Sequence, residues 1–143
     1  MAGPNEKIVR EFYEATAPGH RERLFSLQDA HVVYKMPEGL PAGGGRFEGL
    51  EEVRDRFLPT FYGAFDVRFV PDQFITEGEH VVAVGHIRGK TREQGVPIDV
   101  PFAHCWTVRG DALMELRAFT DTAVLARALG AGGPLESGRP PGS

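Results

Sequence analysis

His104 is the residue of this sequence best placed to do chemistry. It stands in an alternating run, Val96, Ile98, Val100, Phe102, His104, Trp106, Val108, interleaved with Pro97, Asp99, Pro101, Ala103, Cys105 and Thr107. A period of two is that of a β-strand with one buried face. An imidazole on that face loses its solvation, which disfavours the charged ring. The ring then stays neutral near pH 7, able to accept a proton or donate a hydrogen bond. Phe102 and Trp106 wall the same space.

Lys35 is the second candidate, at the end of a strand expected over 29–36. A lysine buried there has a lowered pKa and can act as a base or hold an anion, whereas one reaching solvent does neither. His86 and Arg88 share a face of a strand over 81–91, and the pattern of that strand does not decide between pocket and outer surface. Asp121 closes the last strand, but Asp121-Thr122-Ala123-Val124-Leu125 is the pattern of a helix N-cap. Its parity is also opposite to that of His104 and Trp106.

The aromatic set Tyr13, Tyr34, Phe57, Phe61, Tyr62 and Trp106 reads mainly as core. Tyr34, Phe57 and Trp106 form the expected wall for a flat apolar ligand, with Tyr13, Phe102, Met36, Leu116, Ala118 and His86 as further binding candidates. Cys105 faces away from His104 and has no neighbouring base, so it is not read as a nucleophile. The histidines are scattered and lack carboxylate companions, so no metal site is expected. Gly43-Gly44-Gly45 lacks the Lys-Ser/Thr ending of a phosphate loop and reads as a lip over a pocket.

The elements that position these residues follow from periodicity. Ile8, Phe12 and Ala15 share a helical face with Val9 beside them, Asn5 is the expected N-cap, and Pro18-Gly19 ends the helix. A short helix over 21–27 and the strand over 29–36 follow, then a Gly/Pro-rich loop over 37–49. Val53, Phe57 and Phe61 mark a third helix over 50–61. From Phe65 onward the period is two, with strands over 81–91, 96–108 and 112–120 separated by short turn-rich segments. A three-residue turn over 109–111 would set Trp106 opposite Met114, His104 opposite Leu116 and Phe102 opposite Ala118. A last helix covers 122–129, and residues 130–143 read as a flexible Gly/Pro-rich tail to a domain over 1–129. Helices first and a meander afterwards is an α+β pattern.

Composition sets the bounds. The chain has 143 residues, 41% hydrophobic and 25% charged, which suits one soluble domain. A net charge of −4 without a basic run argues against nucleic acid. One cysteine excludes an internal disulfide. The apolar runs are too short for a membrane helix, and the first residues show no leader pattern, so the cytoplasm is the expected compartment.

The order of elements resembles the SnoaL-like branch of the nuclear-transport-factor-two-like superfamily over about residues 5–129. The strings that carry the resemblance are Glu11-Phe12-Tyr13-Glu14-Ala15, Gly45-Arg46-Phe47-Glu48-Gly49, Ala103 through Asp111, and Arg117-Ala118-Phe119-Thr120-Asp121-Thr122. The resemblance implies a cone, in which a curved antiparallel or mixed sheet wraps around about three N-terminal helices and an apolar pocket. It also implies a homodimer formed through the sheet. The superfamily includes polyketide cyclases, ketosteroid isomerases, epoxide hydrolases, dehydratases and non-catalytic binding modules. Carried over by position, the isomerase base falls on Met36, its oxyanion tyrosine on Phe12 and its neutral carboxylic acid near His104. The hydrolase aspartate falls on Ala118. The cyclase pair of a histidine and a last-strand aspartate meets His104 and Ala118. The expected function is cofactor-independent acid–base cyclisation, isomerisation or dehydration of a hydrophobic carbonyl compound, with His104 and Lys35 catalytic. The alternative is a binding or accessory protein of the same fold, and an epoxide hydrolase ranks below both.

Overall fold

The computed structural model describes residues 3–130. The chain runs α1 (Pro4–Ala15), α2 (Arg21–Ser26), β1 (Gln28–Met36), β2 (Gly45–Glu48), α3 (Leu50–Glu52), a π-helical turn (Val53–Phe57), α4 (Leu58–Ala64), β3 (Phe65–Glu77), β4 (His80–Thr91), β5 (Pro97–Arg109), β6 (Ala112–Thr120) and α5 (Thr122–Leu129). Of the expected tail over 130–143, all but Gly130 lies outside the described residues. Gly130, at φ 81°, caps the C-terminus of α5.

The six strands form one mixed sheet in the order β2-β1-β6-β5-β4-β3, in which only β1 and β6 run parallel. The fold class is the α+β class expected. Helix α1 lies against β3, β4 and β6, while α3 and α2 lie against β1. Alternation puts one face of each strand beneath these helices. On β5 that face is Ile98, Val100, Phe102, His104, Trp106 and Val108, all buried. Register shifts in β1, β3 and β6 mark bulges, which bend a sheet. Gly85 of β4 is one point where that bending presses, since a Cβ there would stand 2.6 Å from Pro71 Cα in β3.

Four local expectations change. Helix α1 starts at Pro4 rather than after Asn5, because proline suits the first helical position; the Asn5 amide donates instead to the Gly78 carbonyl at 3.0 Å. The buried face of α1 is Val9, Phe12, Tyr13 and Ala15, with Ile8 at its edge. The glycine-rich loop contains β2, which pairs with β1. The β5–β6 register is two residues away from expectation, with Phe102 opposite Thr120, His104 opposite Ala118 and Trp106 opposite Leu116.

Candidate functional site

The site begins at the inner face of β5. His104 is 5% exposed, with the Phe102 ring 4.5 Å and the Phe69 ring 5.4 Å from its centroid. Such surroundings cannot solvate an imidazolium, and burial pulls the His104 pKa down from 6.5 to about 3. The ring is therefore neutral at physiological pH.

Helix α1 supplies the ring's partner. Tyr13 projects from its buried face and places its hydroxyl 2.6 Å from His104 Nδ1. Trp106, next on the inner face of β5, donates from Nε1 to the same hydroxyl at 2.9 Å. An indole N–H can only donate, so the Tyr13 oxygen accepts from it. The hydroxyl's own proton has one acceptor in reach, His104 Nδ1. This network assigns Nδ1 as the acceptor nitrogen and leaves the proton on Nε2. Burial pushes the Tyr13 phenol well above its ordinary value, so the donor stays protonated.

His104 also lines an internal cavity with about 40 Å³ of free space. Its other walls are Phe12, Thr16, Leu24, Tyr34, Met36, Phe57, Leu58, Phe61, Tyr62, Phe69 and Leu116. Tyr34 donates its hydroxyl to Gln28 at 2.8 Å, and Thr16 donates to the Tyr13 carbonyl at 2.6 Å. Among the described residues, His104 Nε2 and the Tyr62 hydroxyl have no protein hydrogen-bond partner, and no carboxylate lines the cavity. Gly43, at φ 92°, packs against Phe57 and Phe61, so the glycine-rich lip lies against the cavity wall.

The residues expected at the site divide into three groups. His104, Tyr34, Met36, Phe57 and Leu116 line the cavity together. Tyr13, Trp106 and Phe102 stand behind or beside the imidazole and hold it. Ala118 is buried opposite His104, but it lines, with Lys35, a second crevice that meets the cavity wall only at Met36.

Lys35 and His86 are not brought to the cavity. The buried Tyr34 faces inward, so the next residue on β1 faces out, where Lys35 pairs with Glu115 at 3.2 Å. His86 lies on the outer face of β4, and its Nδ1 is 2.9 Å from Asp99. Asp121 is the helix cap, accepting from the Val124 N–H at 3.1 Å.

Sequence reasoning missed Thr16, Leu24, Leu58 and Phe69 as cavity residues, placed Phe61 and Tyr62 in the core, and gave Phe12 only as the place of a missing tyrosine. The tyrosine that reaches the site from the first helix is its neighbour, Tyr13. The i, i+4 pair Phe12 and Thr16 and the alternation that puts Phe69 on one face with Phe65 and Val67 were the available signals.

Comparisons with known proteins agree with this architecture. An NTF2-like protein of unknown function from Burkholderia pseudomallei is 27% identical, with a TM-score of 0.82 over 90% of this chain and 98% of that one. TerC, co-crystallised with polyporic acid, is 23% identical, with a TM-score of 0.81 over 90% and 99%. A candidate SnoaL-like polyketide cyclase from Jannaschia sp. CCS1 is 19% identical, with a TM-score of 0.77 over 92% and 94%. The curated proteins searched contain no match to the chain. The family model for the SnoaL-like domain matches residues 9–116, most of the folded chain, and the protein belongs to that family.

Proposed function

We propose that the internal cavity binds a small, largely apolar molecule bearing a carbonyl or similar oxygen, and that His104 Nε2–H donates a hydrogen bond to that oxygen. The observation that carries this reading is the contact of the Tyr13 hydroxyl with Nδ1. It leaves a neutral ring with its remaining proton unshared in an apolar enclosure, where a buried donor without a partner costs about 1–3 kcal/mol. A ligand oxygen removes that cost. The free space of about 40 Å³ has room for one or two waters. A ligand therefore needs wall side chains to give way, and the half-buried Met36 is the most adaptable of them.

The wider reading is cofactor-independent cyclisation, isomerisation or dehydration of a carbonyl-bearing, polyketide-like substrate. Its support is the family, the name of the Jannaschia neighbour, and the same hydrogen bond, which would stabilise charge developing on a carbonyl oxygen. That chemistry also needs a proton acceptor. The cavity wall contains no carboxylate, and His104 holds a proton weakly, so binding asks less of these residues than catalysis does.

The test compares cyclohex-2-enone with cyclohexene by NMR titration. The ketone should bind about fivefold more tightly and move the His104 Nε2–H resonance. His104→Phe should erase the difference. Equal binding of ketone and hydrocarbon to the wild-type chain would overturn the reading.

A further inference from the structure

The His104 cavity shares a wall with a second, larger space. Thr16, Leu24, Leu58 and Tyr62 line the cavity and also a larger, more open cleft of about 590 Å³. The cleft is lined by Arg21 of α2, Arg68 of the edge strand β3 and Arg92 in the turn after β4, against one carboxylate, Asp66. Arg92 is already engaged, donating to the Tyr62 carbonyl at 2.7 Å and standing 3.9 Å from Asp66. Arg21 and Arg68 are exposed and form no ion pair among the described residues. Arg21 lines the cleft together with Tyr62 of the shared wall, and its charge opposes the rise that burial causes in the Tyr62 phenol pKa.

A positive concavity on a chain of net charge −4 is a local arrangement rather than a general one. Low-dielectric walls on one side strengthen its field and concentrate anions. A guanidinium fork matches a carboxylate or phosphate. The cavity behind it contains no cation, so an anionic group could not follow an apolar body inward without a large desolvation cost.

We propose that the ligand of the His104 cavity is an amphipathic anion. Its apolar, oxygen-bearing part passes Thr16 and Tyr62 into the cavity, and its carboxylate or phosphate stays in the cleft on Arg21 and Arg68. This rests on the reading of the cavity as the binding site.

The test uses 4-oxo-4-phenylbutanoate, its methyl ester and inorganic phosphate, with affinities measured by calorimetry at low and high salt. The acid should bind about tenfold more tightly than the ester, and the gap should close as salt rises. In the Arg21→Gln/Arg68→Gln double variant the acid should bind no better than the ester. If acid and ester bind equally while both still lose affinity in His104→Phe, the cleft proposal fails and the cavity reading stands. If phosphate binds the arginines but the acid gains nothing over its ester, the cleft is a free-anion site and the proposal fails. If neither organic probe binds, the cavity reading fails with it.

Discussion

The Tyr13 hydroxyl lies 2.6 Å from His104 Nδ1, a hydrogen bond that ties the first helix to the fifth strand across 91 residues of chain. Both side chains are buried, and the hydroxyl also accepts from Trp106 Nε1 at 2.9 Å. One oxygen thus satisfies two buried groups, the indole N–H and the imidazole Nδ1. It also leaves the imidazole proton on Nε2.

Tyr13→Phe keeps the ring and removes only that oxygen. Trp106 Nε1–H and His104 Nδ1 then lack partners, at about 1–3 kcal/mol each. Urea unfolding should show the loss. Long-range proton–nitrogen NMR should show a single Nε2–H tautomer in the wild-type protein and a mixture in the variant. A variant that keeps the pure Nε2–H signature would mean that Tyr13 does not set the tautomer.

The depressed pKa of His104 also predicts how stability depends on pH. Its value is about 3 when folded, against 6.5 for the unperturbed group. Between those values the unfolded chain binds a proton that the native chain refuses, so this contribution is fully present above about pH 6.5 and is lost as pH falls toward 3. One proton corresponds to about 1.4 kcal/mol per pH unit. His104→Phe should flatten the curve of unfolding free energy against pH by that amount across the window. Subtracting the two curves removes the carboxylates and the other histidines, which are common to both. Parallel curves would show that His104 titrates normally.

The inward face of His104 was legible in the sequence because parity needs only the alternation of β5. Its partners were not. The turn before β6 has two residues, Gly110 and Asp111 at φ 60° and 64°, instead of three, and a bulge between Thr107 and Val108 skips Met114. Each shifts the register by one residue in the same sense, and the sum of two restores every side chain to its face. Lys35 and Met36 are adjacent on β1, so once Tyr34 faces inward alternation puts Met36 on its side and Lys35 on the other; expecting both at the site overlooked that parity. Strand β2 buries a single residue, Phe47, which is too short a pattern to read. The π-helical turn at Val53–Phe57 alters the helical period just before Leu58, Phe61 and Tyr62, all of which reach the cavity.

Gly85→Ala tests the crowding between β3 and β4. The new Cβ would meet the Val70 carbonyl oxygen and Pro71 Cα, both backbone atoms that cannot rotate away. A loss of about 3 kcal/mol is expected, the upper end for overpacking. Gly63→Ala is the control: a Cβ at that helical position in α4 meets nothing within 4 Å, and alanine should stabilise by roughly 0.5–1 kcal/mol. Thermal unfolding of the two variants should therefore move in opposite directions. A harmless Gly85→Ala would show that the two strands can separate at that point.

Asp121 offers the last test, because its position at the end of β6 suits either a catalytic carboxylate or a cap. The structure makes it the cap of α5, accepting from the Val124 N–H at 3.1 Å. An asparagine serves that role as well as an aspartate, whereas alanine cannot accept the bond. Asp121→Asn should keep wild-type stability, and Asp121→Ala should lose about 1 kcal/mol. Neither should change ketone affinity, since Asp121 does not line the cavity. A carboxylate that served the ligand would give the opposite pattern, with Asp121→Asn as damaging to binding as Asp121→Ala and stability unable to separate them.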